Sequence, residues 1–186
     1  DQDPEKTLFG FVETVRESGV ETFIVHARKA WLKGLSPKEN RDVPPLDYDL
    51  VRRLKGEHPD LEVLLNGGLE SLEHGMGEIH GTDGIMLGRA AYHTPWTLAE
   101  VDTRVYGAAS DPCATPFDAV EAYRPYVEAQ LERGVKLHAI TRHMLGLFAG
   151  RPGARQWRRV LSEGATRDGA GPELVEEALS RVPAAA

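Results

Sequence analysis

The sequence of 186 residues contains a single cysteine, Cys113, and no apolar run that reaches the about 20 residues of a membrane span. One cysteine forms neither an internal disulfide nor a cysteine-rich zinc site, and it suits a reducing compartment, for which we expect the cytoplasm. His74 and His80 lack a plausible spacing of metal ligands, so we expect no metal. The lack of a long apolar run leads us to expect no membrane contact. The chain also lacks an initiator methionine and opens with Asp1-Gln2-Asp3-Pro4, which we interpret as a cut from a longer protein.

The composition is that of a folded protein, with 41% hydrophobic and 27% charged residues, but the charges are unevenly spread. The net charge of −7 argues against nucleic-acid binding over the whole surface. Residues 26–41 nevertheless hold five basic residues and one acid, and residues 136–159 hold six basic residues and no acid. Each stretch is either a surface that contacts the phosphates of a polyanion or a solvated face, and the composition leaves both interpretations open.

Segments of helical periodicity alternate with short β-branched or aliphatic runs in the first part of the chain. Asp3 and Pro4 are typical of a helix start, and Leu8, Phe11 and Val12 then predict one apolar face. Further helices are predicted over 48–57, 69–79 and 90–101, and buried strands over 22–25, 61–65 and 83–87. This alternation predicts an α/β fold with a parallel sheet. Three parallel strands alone leave exposed edges, so we expect them to belong to a larger barrel or sheet whose first part is missing.

The remainder of the chain has only helical patterns. Residues 106–115 are rich in Gly, Ala, Ser and Pro and are predicted to be a linker. Helices are predicted from Pro116 to Gly134 and over 137–149, 154–163 and 172–182. Within the third of these, Trp157 belongs to an apolar face, whereas Arg155 and Arg158 lie on the opposite face. We therefore expect three regions: 1–105 as part of an α/β barrel, 106–115 as the linker, and 116–182 as an all-α helical bundle.

Glycines directly follow two consecutive predicted strands, in Asn66-Gly67-Gly68 and in Gly88-Arg89. Glycine lets backbone N–H groups approach phosphate oxygens, and Arg89 can add a charge-assisted pair. Strand-to-helix turns often contain glycine for structural reasons alone, but two such turns in succession favour a phosphorylated cofactor or substrate. His26 ends the first strand at the same edge, either as a core residue or facing a polar cleft. The long polar loop that follows, 27–45, is of a length that is usually functional.

The motifs, taken together, resemble the flavin-dependent tRNA-dihydrouridine synthase family, subfamily A, in its carboxy-terminal portion. They are HARKAWLKGLSPKENR at 26–41, NGG at 66–68, GR at 88–89, TRHMLGLF at 141–148 and PGARQWRR at 152–159. The resemblance implies the second half of a (β/α)8 TIM barrel followed by a helical tRNA-binding domain. It also implies that NADPH reduces FMN and that the flavin reduces uridines 20 and 20a in the tRNA D-loop to 5,6-dihydrouridine.

The resemblance also implies roles for individual residues. The positions that match FMN contacts are His26, Asn66, Gly67, Gly68, Gly88 and Arg89. The positions expected to contact RNA are Lys38, Arg41, Arg155 and Arg158, together with Arg28 and Lys29 of the first basic stretch. Trp31, in the same stretch, either stacks on a base or anchors the loop.

The family's catalytic cysteine lies on an earlier barrel loop, so we expect it upstream of this sequence and assign no catalytic residue here. Cys113 is in the wrong region to replace it. We therefore expect a monomeric tRNA-modifying oxidoreductase as the parent protein, and no uridine reduction by these 186 residues alone. The alternatives are a non-catalytic RNA-binding fragment and another phosphate-binding barrel enzyme.

Overall fold

The computed structural model describes residues 3–31 and 33–184, which pack as two compact units that divide between Arg89 and Ala90. The first unit contains α1 (Pro4–Arg16), β1 (Thr22–His26), a short 3-10 turn (Glu39–Arg41), α2 (Tyr48–Glu57), β2 (Glu62–Asn66), α3 (Leu72–Glu78) and β3 (Gly84–Met86). The second contains most of α4 (Arg89–His93), a 3-10 turn (Pro95–Leu98), α5 (Val101–Arg104), α6 (Pro116–Glu132), α7 (Leu137–Thr141), α8 (Ala154–Gly164) and α9 (Glu173–Ser180).

The three strands form one parallel sheet in the order β1-β2-β3, which confirms the predicted α/β pattern. Side chains alternate along the strands, so that Phe23, Val25 and Val63 are buried in the core with residues of α1 and α2. The opposite face is open among the described residues: Ile24, next to Phe23 and Val25 in β1, is 56% exposed. The described sheet is therefore covered on one side only.

The first helix begins as predicted and differs on its apolar face. The Asp3 carboxylate accepts hydrogen bonds from the backbone N–H groups of Glu5 and Lys6, which caps α1. Val12 is buried, but Phe11 is 61% exposed, so the expectation that Phe11 lies inward is wrong. Phe11 sits at the border of the apolar stripe, and the elements described in this unit cover only the centre of that stripe.

The second unit is helical and is built around Trp157, which is completely buried. Its indole N–H donates to the backbone carbonyl of Met144 at 3.1 Å, and its ring contacts Phe148 edge-on at 4.9 Å between centroids. Val120 and Val127 of α6 complete the core from the predicted apolar face of that helix. The region 106–115 carries neither helix nor strand. No helix in the described part of the chain is both long and apolar enough to cross a membrane.

Two predicted helices stop near the middle of their predicted length in the structure. The one predicted over 90–101 is interrupted at Pro95, which has no N–H to continue the helical hydrogen bonding. The one predicted over 137–149 is helical only to Thr141, and i→i+3 hydrogen bonds then close successive turns, as from the Leu147 N–H to the Met144 carbonyl. There, Gly146 packs directly against the backbone of His93, a contact that a side chain at position 146 would block.

Candidate functional site

The carboxyl ends of the three strands lie side by side in the first unit, and side chains link them. His26, Asn66 and Met86 are aligned in the sheet register. The Asn66 amide nitrogen donates to the Met86 carbonyl at 2.9 Å, so its amide oxygen faces His26 Nδ1, 2.6 Å away. Because that oxygen can only accept, Nδ1 of His26 carries the hydrogen, and Nε2 is left as the ring's acceptor when the imidazole is neutral. The two residues expected at this edge are therefore brought together and oriented by each other.

Gly67 and Gly68 follow β2 with φ angles of 115° and 66°, which favour glycine. A Cβ on Gly68 would lie 2.5 Å from the Leu46 side chain, so packing as well as backbone conformation requires the glycine. The Tyr48 hydroxyl donates to the Gly67 carbonyl at 2.7 Å, and burial raises the pKa of Tyr48, which keeps the hydroxyl protonated. The N–H groups of Gly67, Gly68 and Gly88 donate to no group of the described chain. The hydrogen bond to the Gly67 carbonyl thus holds this turn in place, and the glycine N–H groups remain available to a ligand.

Arg89 begins α4, after Leu87 and Gly88 have followed the end of β3. Its guanidinium lies 2.6 Å from the Asp42 carboxylate, and both side chains are about half exposed. The hydrogen bond from Arg89 lowers the pKa of Asp42, and the positive charges of Arg28 and Arg41 lower it further against the opposing effect of desolvation. Arg89 is therefore an anion-binding group whose partner in this structure is a carboxylate.

Arg28 differs from the other basic residues of the first stretch, because it points into the loop that it begins. It is half-buried, and its guanidinium donates to the carbonyls of Asp42, at 3.1 Å, and of Pro44. Its Nε is buried and has no hydrogen-bond partner among the described residues. Arg28 thus fixes the far end of the loop, and its role as an RNA contact stays a prediction.

The remaining cations of this stretch are available at the surface. Lys29, Lys38 and Arg41 are exposed, and none forms an ion pair within the described residues. Asn40 holds the loop in shape: its amide oxygen accepts the Trp31 N–H at 2.7 Å and its amide nitrogen donates to the Trp31 carbonyl at 3.0 Å. The Trp31 residue is 39% exposed, which leaves both interpretations of it open.

The second basic stretch presents arginines from α8. Burial of Trp157 fixes the rotation of this helix, so Arg155, Arg158 and Arg159 are all exposed. None of the three pairs with a carboxylate of the residues that the structure describes, whereas Arg124 and Arg181 in the same unit do. The described residues contain no group of three or more His, Cys, Asp or Glu side chains that could hold a metal ion.

Sequence reasoning missed the groups that position the strand-end residues. Asp42 is 47 residues before Arg89 in the sequence. The contacts of Tyr48 with Gly67 and of Leu46 with Gly68 form only when the loop has folded. The one signal available was the loop's length, which marks the region without identifying the residues.

Comparison with known proteins places the chain among relatives of one kind. A family model described as dihydrouridine synthase matches residues 1–183. Proteins named tRNA-dihydrouridine(20/20a) synthase are similar to it: one from Xanthomonas campestris pv. campestris is 53% identical over 182 residues, which cover 97% of this chain and 53% of the relative. Another from Escherichia coli K12 is 52% identical over 183 residues, which cover 98% of this chain and 53% of the relative. The chain spans about half the length of the curated relatives it matches.

Proposed function

The chain belongs to the dihydrouridine synthase family, and on that premise we propose that it serves in the reduction of uridine to 5,6-dihydrouridine in tRNA. The names of the relatives support uridines 20 and 20a as the targets. The resident cofactor is FMN, which when bound supplies the hydride for the pyrimidine double bond, with NADPH as the source of electrons. The reaction takes place in the cytoplasm, where tRNA and reduced nicotinamide cofactors are found together.

The strand-end site fits the phosphate end of a flavin nucleotide. Available N–H groups on Gly67, Gly68 and Gly88 suit phosphate oxygens, and Arg89 supplies a bidentate cation. His26 is oriented by its hydrogen bond to Asn66 and presents Nε2 as a further polar contact. The observation that carries the proposal is this convergence of donors and one arginine at a single edge of a parallel sheet, where such folds bind ligands.

The open face of the sheet supports a barrel. Parallel sheets are normally covered on both sides, yet Ile24 and Met86 are exposed on the face that α1 and α2 do not cover. We propose that residues 1–105 form the second half of a (β/α)8 barrel, whose inward side chains would fill that face. Residues 116–182 would then be the helical tRNA-binding bundle, joined through 106–115.

The exposed cations of the two basic stretches would contact the tRNA backbone. Lys38 and Arg41 lie on the loop whose Asp42 contacts Arg89, so RNA held there would lie next to the flavin site. Arg155 and Arg158 would hold a second part of the tRNA. We assign no residue to the proton transfer that completes the reduction, because Cys113 lies between α5 and α6 in the second unit.

The test is a chimera in which residues 1–183 replace the segment that they match in the Escherichia coli relative. The chimera is produced in cells that lack the host gene for that relative, and dihydrouridine in tRNA is measured by mass spectrometry. We expect near-stoichiometric flavin absorbance and dihydrouridine at positions 20 and 20a. A folded chimera with neither flavin nor dihydrouridine would refute the proposal, and tRNA binding without flavin would indicate a non-catalytic RNA-binding protein instead.

A further inference from the structure

The second unit contains a groove that none of the predicted sites explains. It lies between the end of α4, the α7 segment and α8, and its volume is about 580 Å³. The polar side chains along it are Tyr92, His93, His138, Thr141, Arg142, Arg158 and Ser162. Of these, only Arg158 was among the predicted RNA contacts.

The groove is suited to an anion. Every ionisable side chain along it that can be charged near neutral pH is a histidine or an arginine, and no aspartate or glutamate lines it. Neither Arg142 nor Arg158 pairs with a carboxylate of the described residues, in contrast to Arg124, which binds both Glu121 and Glu176. Uncompensated positive charge is therefore concentrated here.

An aromatic ring stands beside these cations in a fixed position. Tyr92 is 53% exposed, yet its ring meets His93 at 5.7 Å and 78° and His143 at 5.8 Å and 74°. Two near-perpendicular contacts hold the ring and leave much of its surface open. An exposed aromatic ring next to arginines is the combination by which proteins bind single-stranded nucleic acid, since the ring stacks on a base and the cations hold the phosphates.

A third feature is an unsatisfied polar atom. The Nδ1 atom of His138, a residue that lines the groove, is buried and has no hydrogen-bond partner in the described chain. Such atoms are few in folded proteins and call for a specific explanation. Because this atom is not exposed to the groove, it does not itself mark a contact with a ligand.

We propose that this groove binds an unpaired nucleotide of RNA, with the phosphate on Arg142 and Arg158 and the base against Tyr92. The proposal rests on the proposed tRNA function and adds a subsite of defined chemistry to it. RNA is favoured over a free phosphate because the ring adjoins the cations, and because Arg155 lies one turn before Arg158 on α8 and extends the positive surface along a strand's path.

The experiment measures binding of the full chain to a labelled single-stranded RNA of about ten nucleotides and to a duplex of the same sequence, over a range of salt concentrations. Arg142→Gln should weaken single-strand binding about fivefold or more and make the salt slope shallower by about one. Tyr92→Leu should weaken it similarly with the slope unchanged, and Tyr92→Phe should bind like the parent chain. The matched control is Arg133→Gln, which removes the same charge from an exposed position outside the groove.

Unchanged affinity in Arg142→Gln and Tyr92→Leu, or an equal loss in Arg133→Gln, would overturn the proposal. Equal affinity for the single strand and the duplex would also overturn it. Displacement of the RNA by polyglutamate at the same concentration of charge would overturn it too, and would indicate an acidic protein as the partner. Thermal unfolding followed by circular dichroism identifies any variant that fails to fold. If Tyr92→Leu does not fold, the RNA affinities of Tyr92→Phe and Arg142→Gln decide whether the proposal holds. If the chimera makes no dihydrouridine while the groove variants still bind RNA more weakly than the parent chain, the proposed function is wrong and the groove proposal is supported.

Discussion

Replacing Arg89 and its partner Asp42 separately tests the flavin-phosphate site most directly, because the two changes have opposite expected signs. A charge-assisted hydrogen bond to an anion contributes about 2 kcal/mol, so Arg89→Ala should weaken FMN binding by about thirtyfold. Arg89 lies 2.6 Å from the Asp42 carboxylate, so a phosphate on Arg89 would compete with that carboxylate for the guanidinium. An exposed ion pair is weak, so Asp42→Asn should tighten FMN binding by at most about fivefold.

The assay titrates FMN into the flavin-free chimera and follows flavin fluorescence. Asp49→Asn is the matched control, because Asp49 is an exposed aspartate of the first unit that also pairs with an arginine, Arg52. The double change, Arg89→Ala with Asp42→Asn, should bind FMN no better than Arg89→Ala alone, since the carboxylate acts only through the arginine. Full flavin retention by Arg89→Ala after dialysis, or weaker binding in Asp42→Asn, would refute the reasoning.

Three further predictions concern RNA binding and stability. Changing both Arg155 and Arg158 to Gln should make the salt slope of tRNA binding shallower by about two while leaving the unfolding midpoint unchanged, as a filter-binding series and a melting curve would show. Gly68→Ala should destabilise the chain by about 1–3 kcal/mol in urea, because φ is positive and its neighbour leaves no space, whereas Gly56→Ala, with nothing within 4 Å, should not. Desolvation raises the pKa of Asp83, but the Val63 N–H and the Lys55 ammonium together outweigh it, and the pKa is lowered. The stability that Asp83 contributes is therefore present above its unfolded pKa and is lost as the pH falls through the lower, folded pKa. Asp83→Asn should flatten that acid limb in a series of unfolding curves measured at different pH.

The elements that the sequence predicts well are those with local signals at both ends. The helix predicted over 48–57 has those bounds in the structure, with Asp47 as the capping residue. The strand ends at His26 and Asn66 could be located because turn residues or charges follow the apolar runs immediately. The prediction of a helix over 137–149 is wrong beyond Thr141 for a non-local reason. Gly146 packs against the backbone of His93, a contact that the periodicity of the sequence does not reveal.

The phosphate-binding chemistry of the candidate site stays a prediction, whereas the contacts that hold its side chains are seen only in the structure. Glycines and an arginine after consecutive strands indicate phosphate binding wherever the intervening loop goes. The pairing of Arg89 with Asp42 depends on the path of that loop, and so does the inward turn of Arg28. A count of basic residues assigns Arg28 to the surface, because charge alone does not distinguish a solvated guanidinium from one that binds carbonyls.

The contacts of the loop between β1 and α2 predict a link between the proposed flavin site and the proposed RNA contacts. Arg28 holds its backbone at Asp42, the Asp42 carboxylate holds Arg89, and the exposed Arg41 precedes Asp42 in the chain. A phosphate that replaces the Asp42 carboxylate on Arg89 would leave Asp42 held only by the hydrogen bond from Arg28 to its carbonyl. The segment that carries Arg41 would then be more mobile. Linkage is reciprocal, so RNA on this segment must change flavin affinity by the same factor. In Asp42→Asn the attachment is absent from the start, and RNA affinity measured with and without FMN should then differ less than in the parent protein; an unchanged difference would show that the loop does not carry the coupling.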